Sequence, residues 1–308
     1  MQIIVLFILF LYLLLILKYW IGWKKNKATG VSHFLPKVSV IIALRNEQKQ
    51  VIHLLSELKK QVYPVDKLEF ILVNDHSTDS TLELLVNSVI DNLRVLNMPD
   101  GMFGKKSAIA FAMIEAKGDI ILASDADCSF SPLWVHTMAA YFTNKNIKLV
   151  SGPVSYNKQK GIFIGLQTLE FISLIGSGAG AICVKNAIFC NGANMAYRKA
   201  DFLELNDFEN DEAVSGDDVF LLHSVKEKYK DAIAFAKDEN AIVLTDAVQT
   251  AKGFINQRKR WTAKTSGYKD FASIYASFLV LFANLSLVLL FVGYLYSDTY
   301  FHLFLLFY

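Results

Sequence analysis

The sequence has few cysteines and few charged residues for its length. It contains three cysteines among 308 residues, and a small, odd number excludes a scaffold held together by disulfides. Charged residues make up only 19% of the chain and hydrophobic residues 53%, which excludes a disordered chain, a collagen and a coiled coil. The net charge of +2 gives no signal for nucleic acid, so no nucleic-acid partner is expected. The positions of the apolar residues and charges are therefore more informative than their totals.

The chain begins with an apolar run. Residues 1–17 are apolar except for Gln2 and Tyr12, and Lys18 and several aromatic residues follow. A run of this length is at the short limit for crossing a bilayer, and aromatic residues are typical of the membrane interface. The alternative, a cleaved signal peptide, needs a basic start and a small-residue cleavage site, and the sequence has neither. We therefore predict a transmembrane anchor over residues 1–23.

A second apolar run lies near the other end. Residues 274–296 carry no charge and predict another transmembrane helix. After a short polar turn at 297–299, residues 300–308 are apolar again but too few to cross a bilayer as a helix. Either the chain re-enters the membrane and stops, or a third span continues past the sequence given. We favour the second reading and assign residues 271–308 to a C-terminal membrane region, truncated in this sequence.

Basic residues flank both apolar runs on the side of the middle of the chain. A basic linker, residues 24–35, follows the first run. The basic residues before the second run are Lys252, Arg258, Lys259, Arg260, Lys264 and Lys269. Because loops rich in lysine and arginine stay on the cytoplasmic side, we predict a multi-pass protein of the inner (plasma) membrane with a cytoplasmic middle region. Unpaired cysteines agree with a reducing compartment.

Residues 36–270 alternate between strand and helix patterns. The strand patterns are 37–44, 68–74, 93–97 and 119–124, and the helix patterns are 47–61, 80–89 and 107–116. Asp79 or Ser80 could cap the second helix. This alternation predicts one α/β domain with a mostly parallel sheet flanked by helices. Ligands of such sheets bind beyond the carboxyl ends of the strands.

Residues 161–184 are apolar enough to suggest a further span. They also contain Gln167, Glu170, Ser173 and a run at 176–180 with three glycines. A charge in the middle of a membrane is costly, and glycines break helical regularity. We predict an interfacial or domain-core helix, with a true membrane span as the alternative.

Acidic residues follow two of the predicted strands. Asp75 comes directly after the 68–74 strand, and Asp125 and Asp127 come directly after the 119–124 strand. Two carboxylates at this spacing on a loop can hold one Mg²⁺ or Mn²⁺ and leave positions open for phosphate oxygens. The alternative is that acids after strands only cap the next helix, and it stays open for Asp79.

Further polar groups occur downstream. The adjacent Asp217 and Asp218 could take a proton from a reacting hydroxyl, or could form a solvated acidic loop. Gln257, Arg260 and Trp261 share one face of a predicted helix. There an arginine could neutralise a diphosphate and a tryptophan could stack on a sugar. The alternative is a basic segment that attracts anionic lipid.

The segment around Lys105 lacks the spacing of a phosphate loop. The position five residues before Gly104 is Pro99, and Lys106 follows Lys105 where a serine or threonine is needed. This argues against an ATPase, although a lysine at a helix start can still contact phosphate.

Taken in order, these motifs resemble the family 2 glycosyltransferases of the GT-A fold. Within that family they resemble the membrane-bound branch with a Gln-x-x-Arg-Trp sequence, which includes cellulose, chitin and hyaluronan synthases. The resemblance covers about residues 36–262 and rests on an ordered set of segments. These are 36–47, 74–79, 104–105, 125–127, 192–198, 216–218 and 257–261.

The resemblance implies a role for each matching residue. The residues implied at the nucleotide are Glu47, Asp75, Lys105 and Asp125. Those implied to hold Mg²⁺ or Mn²⁺ are Asp127 and Asp125. Asp218 would be the catalytic base, and Asp217 is the alternative because Gly-Asp-Asp stands here where cellulose synthases have Thr-Glu-Asp. The residues implied at the acceptor and diphosphate are Asn194, Gln257, Arg260 and Trp261.

The resemblance also implies an activity. It is inverting transfer of a sugar from a nucleotide-diphosphate sugar, expected to carry uridine, to a glycan or lipid-linked acceptor in cell-surface polysaccharide synthesis. The small number of predicted spans favours the addition of one or a few sugars over processive synthesis. Two alternatives are an inactive nucleotide-sugar sensor and a non-enzymatic membrane assembly or transport partner. The transferase and the sensor would both bind a nucleotide in the presence of metal, whereas the assembly or transport partner would not. Turnover then separates the transferase from the sensor.

Overall fold

The computed structural model describes residues 2–28, 34–205, 218–265 and 267–294. The helices in these ranges are α1 (Gln2–Lys25), α2 (Gln48–Lys59), α3 (Thr81–Val86), α4 (Gly104–Glu115), α5 (Trp134–Ala140), α6 (Ile162–Cys183), α7 (Lys199–Leu205), α8 (Asp218–Lys228), α9 (Ala251–Thr265) and α10 (Phe271–Tyr294). The strands are β1 (Val38–Leu44), β2 (Leu68–Asn74), β3 (Leu93–Asn97), β4 (Ile120–Ser124), β5 (Ser129–Phe130), β6 (Leu149–Ser151), β7 (Val154–Tyr156), β8 (Asn194–Arg198), β9 (Ile233–Phe235) and β10 (Val243–Thr245).

A seven-stranded sheet forms the centre of the domain. Its strand order is β3-β2-β1-β4-β8-β6-β9. The pairs from β3 to β4 are parallel, whereas β8 runs antiparallel to both β4 and β6. The predicted sheet, mostly parallel and flanked by helices, is confirmed, with β8 as its reversed strand.

Both faces of the central strands are covered, which explains their continuous apolar runs. Along β1, Val40 and Ile42 pack into one core with Leu54 of α2 and Trp134 of α5. Ile41 points to the opposite face, into a second core that includes residues of α4, α6 and α8. Alternate residues of one strand therefore support two helical layers.

A second, three-stranded sheet has the order β5-β10-β7. The sequence patterns assigned no strands after residue 124, and the strands of this small sheet are only two or three residues long. This small sheet follows the loop that contains Asp125 and Asp127, and so it borders the predicted ligand edge.

Two helices differ from their predicted bounds near that edge. α4 begins at Gly104 rather than at residue 107, because the Gly104 N–H donates to Asp75 Oδ2 (2.9 Å) and Gly104 adopts a φ of 87°. α3 ends at Val86 rather than at residue 89. Its last turn is closed by the Ser88 hydroxyl, which donates to the Leu85 carbonyl (2.6 Å).

Three helices, α1, α6 and α10, are long and apolar enough to cross a membrane. α1 packs against α6 where Gly22 and Gly180 lie backbone to backbone. Phe171 of α6 belongs to a core of the α/β domain, whereas Ala181 packs with Tyr19 of α1. The interfacial placement of 161–184 stays a prediction, and the apolar segment 300–308 lies outside the described residues.

Candidate active site

Three neighbouring strands end at one edge of the large sheet. In register, Leu44 of β1 pairs with Asn74 of β2, and Ile42 of β1 pairs with Ser124 of β4. Because these strands are parallel, the loops that follow them emerge together. The predicted ligand residues on these loops are Glu47, Asp75, Asp125 and Asp127.

The loops after β1 and β2 are held to each other by hydrogen bonds. The backbone N–H of Thr78 donates to Asn46 Oδ1 (2.8 Å), and that of Glu47 donates to Thr81 Oγ1 (2.8 Å). Asn46 has a φ of 57°, a left-handed conformation that asparagine tolerates well. Ser80 is the N-cap residue of α3, and Asp79, the residue before it, accepts from the backbone N–H of Thr81 (3.0 Å) at the start of the helix.

Asp75 is buried and already has several partners. Its Oδ2 accepts from the N–H of Gly104 (2.9 Å) and lies 3.8 Å from an Arg45 guanidinium nitrogen. Its Oδ1 lies 3.1 Å from His76 Nδ1. In this structure Asp75 therefore fixes the start of α4, and with it the position of Lys105.

Lys105 and Asp125 form an ion pair across the edge. Each side chain is 41% exposed, so both remain accessible to a ligand. Burial opposes the charge on Lys105, but Asp125, followed by Asp218, outweighs it and raises the pKa of Lys105. Lys105 therefore stays a cation, close to both Asp125 and Asp218.

Asp127 is exposed, and each of its carboxylate oxygens has an uncharged partner. Its Oδ2 accepts from the Thr245 hydroxyl of β10 (3.0 Å), and its Oδ1 accepts from the Cys128 thiol (3.7 Å). The neighbouring Cys128 thiol is fully buried, and burial, followed by Asp125 and Asp127, raises its pKa far above the usual range. This cysteine stays a neutral thiol and is unsuited to metal binding.

The carboxylates at this edge repel one another. Burial, followed by the charges of Asp127, Asp125 and Asp79, raises the pKa of Glu47. Such all-oxygen, negatively charged surroundings fit a hard cation such as Mg²⁺ or Mn²⁺. Among the residues that the structure describes, no group of three or more histidine, cysteine, aspartate or glutamate side chains is arranged to hold a metal. A cation here would therefore take most of its ligands from phosphate oxygens and water.

Asp218 is the first residue of α8 and faces a turn. Its Oδ2 accepts from the N–H of Gly192 (2.6 Å). The same turn is tied to β4, because the Ser124 hydroxyl donates to the Ala193 carbonyl (2.7 Å). The turn thus connects Asp218 to the loop with the other carboxylates. Asp217 lies outside the described residues.

Asn194 is fully buried. Its Oδ1 accepts from Trp134 Nε1 (3.0 Å), and its Nδ2 donates to the carbonyls of Pro153 (2.8 Å) and Ala241 (2.7 Å). Both N–H groups of the amide are therefore used within the protein. The role of Asn194 at an acceptor stays a prediction, and in this structure its side chain holds β8 to Trp134, Pro153 and Ala241.

α9 carries the predicted acceptor residues Gln257, Arg260 and Trp261. Arg260 is exposed, and Trp261 is half-buried with its ring centre 6.2 Å from that of Phe171. Within the described part of the chain, no hydrogen bond or ion pair joins these three side chains to the carboxylates. The link is indirect: Phe171 stacks on Tyr156 (4.6 Å) of the small sheet that also supplies Thr245.

Arg258 is a residue of this region that the motif analysis missed. Its guanidinium lies 4.3 Å from the Phe254 ring centre and 4.2 Å from that of Trp261. It is paired with Glu170 of α6, with a 3.0 Å hydrogen bond from Nε, and it donates to Gln257 Oε1 (2.7 Å). The sequence signal for it is the placement of aromatic residues four before and three after an arginine on one helix.

A family profile described as Glycosyl transferase family 2 matches residues 39–205. This range is 167 of the 308 residues, more than half of the chain. It includes the loops after β1, β2 and β4, and it ends before Asp218 and α9.

Similar proteins include two bacterial examples. The probable glycosyltransferase YdaM of Bacillus subtilis is 36% identical over 110 residues, which cover 34% of this chain and 25% of that protein. The poly-beta-1,6-N-acetyl-D-glucosamine synthase of Staphylococcus aureus is 27% identical over 165 residues, covering 52% of this chain and 37% of that one. The chain therefore spans less than half the length of these relatives.

A similar solved structure is the mannosyltransferase PcManGT of Pyrobaculum calidifontis, in complex with GDP-Man and Mn²⁺. It aligns with a TM-score of 0.62 and 17% identity over 95% of this chain and 91% of that one. The expected α/β fold of the GT-A type is confirmed by this similarity.

Proposed function

Because the chain belongs to glycosyl transferase family 2, we propose that it is a membrane-bound, inverting glycosyltransferase of the Gln-x-x-Arg-Trp branch. It moves a sugar from a nucleoside diphosphate to a glycan or lipid-linked acceptor in cell-surface polysaccharide synthesis. The observation that carries this proposal is the convergence of carboxylates and one lysine at a single sheet edge. These residues are Glu47, Asp75, Lys105, Asp125, Asp127 and Asp218.

Uridine is the base that we propose for the donor, and guanosine is the comparison. PcManGT binds GDP-Man in its solved complex, so both bases belong in a test. Glu47, Asp75 and Asp125 are proposed to line the nucleotide, and Lys105 provides a cation for its diphosphate. The name of the Staphylococcus aureus relative supports a polysaccharide product.

The proposed metal is Mg²⁺ or Mn²⁺, held by Asp127 with Asp125. The Mn²⁺ in the PcManGT complex supports a divalent ion. When bound, such an ion supplies positive charge that stabilises the departing diphosphate.

Asp218 is the proposed base. Its carboxylate accepts hydrogen bonds from the backbone N–H groups of Gly192 (2.6 Å) and Val219 (3.1 Å), which fix its direction. It takes the proton of the acceptor hydroxyl as that oxygen bonds to the anomeric carbon. The bond from this carbon to the diphosphate breaks, the nucleoside diphosphate leaves with the electron pair, and the configuration inverts. Arg260 and Lys105 are proposed to offset the charge of the leaving group, and Gln257 and Trp261 to hold the acceptor sugar.

The proposed location is the inner (plasma) membrane, with the α/β domain on the cytoplasmic side. Three apolar helices support membrane association. The basic residues that flank α1 and α10 on the domain side support this orientation.

The test is a donor panel with the detergent-purified full chain. UDP-sugars and GDP-sugars are incubated with Mn²⁺ or Mg²⁺, and release of nucleoside diphosphate is measured with and without candidate acceptors. We expect metal-dependent release from one donor. Tight nucleotide binding without release from any donor would instead indicate a sensor, and the absence of nucleotide binding would refute the proposal.

A further inference from the structure

The start of α10 is joined to the α/β domain by a cluster of polar groups, of which Ser273 is buried and the other side chains are half-buried. We call it the Ser273 cluster, and its members are Ser273, Asp270, His223, Lys226 and the backbone carbonyl of Ile188. Ser273 is only 3% exposed. Its hydroxyl oxygen lies 3.0 Å from the Ile188 carbonyl oxygen, 3.0 Å from His223 Nε2 and 2.9 Å from Asp270 Oδ2.

The groups of this cluster satisfy one another. Burial lowers the pKa of His223, so its imidazole is neutral. It must carry its proton on Nε2 to bond the Ile188 carbonyl (3.2 Å). The Ser273 hydroxyl then has one proton for Asp270 or Ile188 and lone pairs for His223. Without this hydroxyl, Asp270 Oδ2 would keep the backbone N–H of Ser273 (2.8 Å) and the Ile188 carbonyl would keep His223 (3.2 Å). The direct side-chain link from Ser273 to α8 and to Ile188 would be lost.

A second contact lies one turn along α8. Lys226 Nζ donates to Asp270 Oδ1 (2.7 Å) and to the carbonyl of Ala187 (2.9 Å). α8 is thus held at His223 and at Lys226 against the same two partners. One partner is the start of α10, and the other is the segment 186–188.

The Ser273 cluster holds two segments, α8 and residues 186–188, and the chain that continues from each of them takes part in one shared hydrogen bond. α8 begins at Asp218, five residues before His223, and the 186–188 segment reaches Gly192 four residues after Ile188. The N–H of Gly192 donates to Asp218 Oδ2 (2.6 Å). Ser273 therefore clamps, at one point, the two elements whose contact orients Asp218.

We propose that Ser273 is a positioning residue for sugar transfer. Through His223 and Ile188 it sets the orientation of Asp218 against Gly192. Docking of the apolar helix α10 on the domain thereby fixes the direction of the base. The inference rests on the proposed function, because it takes Asp218 as that base.

The test compares Ser273→Ala with Ser277→Ala in the detergent-purified full chain. Ser277 is a matched control, because it lies one turn along α10 and its hydroxyl donates to the Ser273 carbonyl within the helix (2.7 Å). We expect Ser273→Ala to lower kcat for nucleoside diphosphate release by about tenfold to a hundredfold, since small misplacements of a catalytic group have such effects. UDP or GDP affinity in Mn²⁺ should stay unchanged, and Ser277→Ala should match the unmodified chain in both measurements.

A second readout does not depend on turnover. Hydrogen exchange of a peptide that contains Gly192 should be faster in Ser273→Ala than in Ser277→Ala, and Ser273→Thr, which keeps the hydroxyl, should restore it. Equal kcat values for the two alanine variants would overturn the proposal. So would a parallel loss of nucleotide binding, or a lower kcat with unchanged Gly192 exchange. Turnover that survives in Asp218→Asn would refute the proposed base itself, while the exchange result would still show whether Ser273 holds Gly192.

Discussion

The four aspartates of the proposed site differ in what already contacts them. Asp75 is buried against the start of α4, and Asp125 is paired with Lys105. Asp218 accepts from the N–H of Gly192. Asp127 has the Thr245 hydroxyl on one oxygen and the Cys128 thiol on the other. It is the most exposed of the four, so its oxygens are the most open to a cation.

Asp127→Asn should therefore weaken metal binding. Loss of a residue that only supports a metal ligand typically lowers affinity about 10–100-fold, so loss of a proposed ligand should cost at least about tenfold. Mn²⁺ affinity in the presence of UDP or GDP is measured by calorimetry on the purified chain.

Asp246→Asn is the control for this change. Asp246 is exposed beside Thr245 and accepts from Asn157 (2.8 Å) and Gln159 (3.0 Å), so its loss should leave Mn²⁺ affinity unaltered. Equal affinities for both variants would show that Asp127 is not a ligand.

The sequence predicts the positions of the strand-end acids but not the environment of each side chain. Asp75, Asp125 and Asp127 follow strands, and parallel strands bring such residues to one edge. Asn194 lies in an equally conspicuous segment, yet its side chain turns inward to Trp134. That direction is set by tertiary packing, which spacing along the chain does not encode. The roles of Asp75, Asp125 and Asp127 in binding a nucleotide and a metal remain predictions.

At the scale of elements, α9 is fixed to α6 by Arg258. The arginine reaches Glu170 across the two helices and lies between two aromatic rings of its own helix. The arginine also donates to Gln257 Oε1 (2.7 Å). Arg258 thus orients two of the proposed acceptor residues, Gln257 and Trp261.

Arg258→Met should raise the acceptor KM with a smaller effect on the donor KM. The physical reason is that Trp261 and Gln257 lose their common partner while the nucleotide edge is unchanged. Lys259→Met removes one cation from the next, exposed position and is the matched control. The two KM values are measured with the donor that the panel identifies, and equal acceptor KM values for both variants would contradict this role.

Glu57 couples α2 to β5. It is buried, and its carboxylate accepts from Lys60 Nζ (2.5 Å) and from the N–H of Phe130 (3.0 Å). Burial alone would raise the pKa of Glu57, but these hydrogen bonds lower it overall. Its stabilising effect is therefore present above the unfolded value of about 4.3 and is lost as pH falls through the lower folded pKa.

Glu57→Gln should lower stability at neutral pH by about 1 kcal/mol, and the difference should shrink as pH falls below about 4. Apparent Tm is measured in detergent from acidic to neutral pH. Glu83→Gln, at an exposed position of α3, should change Tm little at any pH. A Glu57→Gln deficit that does not depend on pH would contradict the assignment.

At the scale of the whole molecule, the apolar helices and the α/β domain share α6. Gly22 of α1 and Gly180 of α6 meet backbone to backbone, and a Cβ at Gly180 would clash with the carbonyl of Tyr19. Gly176, one turn earlier on α6, has open space around it. The two glycines therefore differ in role: Gly180 permits close contact between α1 and α6, whereas Gly176 makes no such contact.

Gly180→Ala should destabilise the chain by about 1–3 kcal/mol, because the added methyl overpacks the α1–α6 contact. Gly176→Ala should be neutral or stabilising by up to about 1 kcal/mol, because alanine favours a helix. Apparent Tm values in one detergent compare the two variants. A lower Tm for Gly176→Ala than for Gly180→Ala would contradict the packing described here.

The alternation of strands and helices up to residue 124 could be predicted because those strands are long and buried on both faces. The short strands β5, β7 and β10 could not, since two or three residues carry no periodicity. The antiparallel β8 is set by pairing with β4 and β6, which are distant in sequence. The sequence predicts α1 and α10 as membrane spans and α6 as an interfacial or domain-core helix. All three are long and apolar enough to cross a membrane, and length and composition do not distinguish a span from an interfacial helix.

The central claim is that the carboxylate edge performs sugar transfer with Asp218 as the base. Its most direct test is single-turnover release of nucleoside diphosphate by Asp218→Asn, beside the unmodified chain and Asp246→Asn, at saturating donor and Mn²⁺. We predict that Asp218→Asn binds the nucleotide with unaltered affinity and loses at least about a hundredfold in rate, while Asp246→Asn keeps its rate. A rate for Asp218→Asn equal to that of the unmodified chain would contradict the claim.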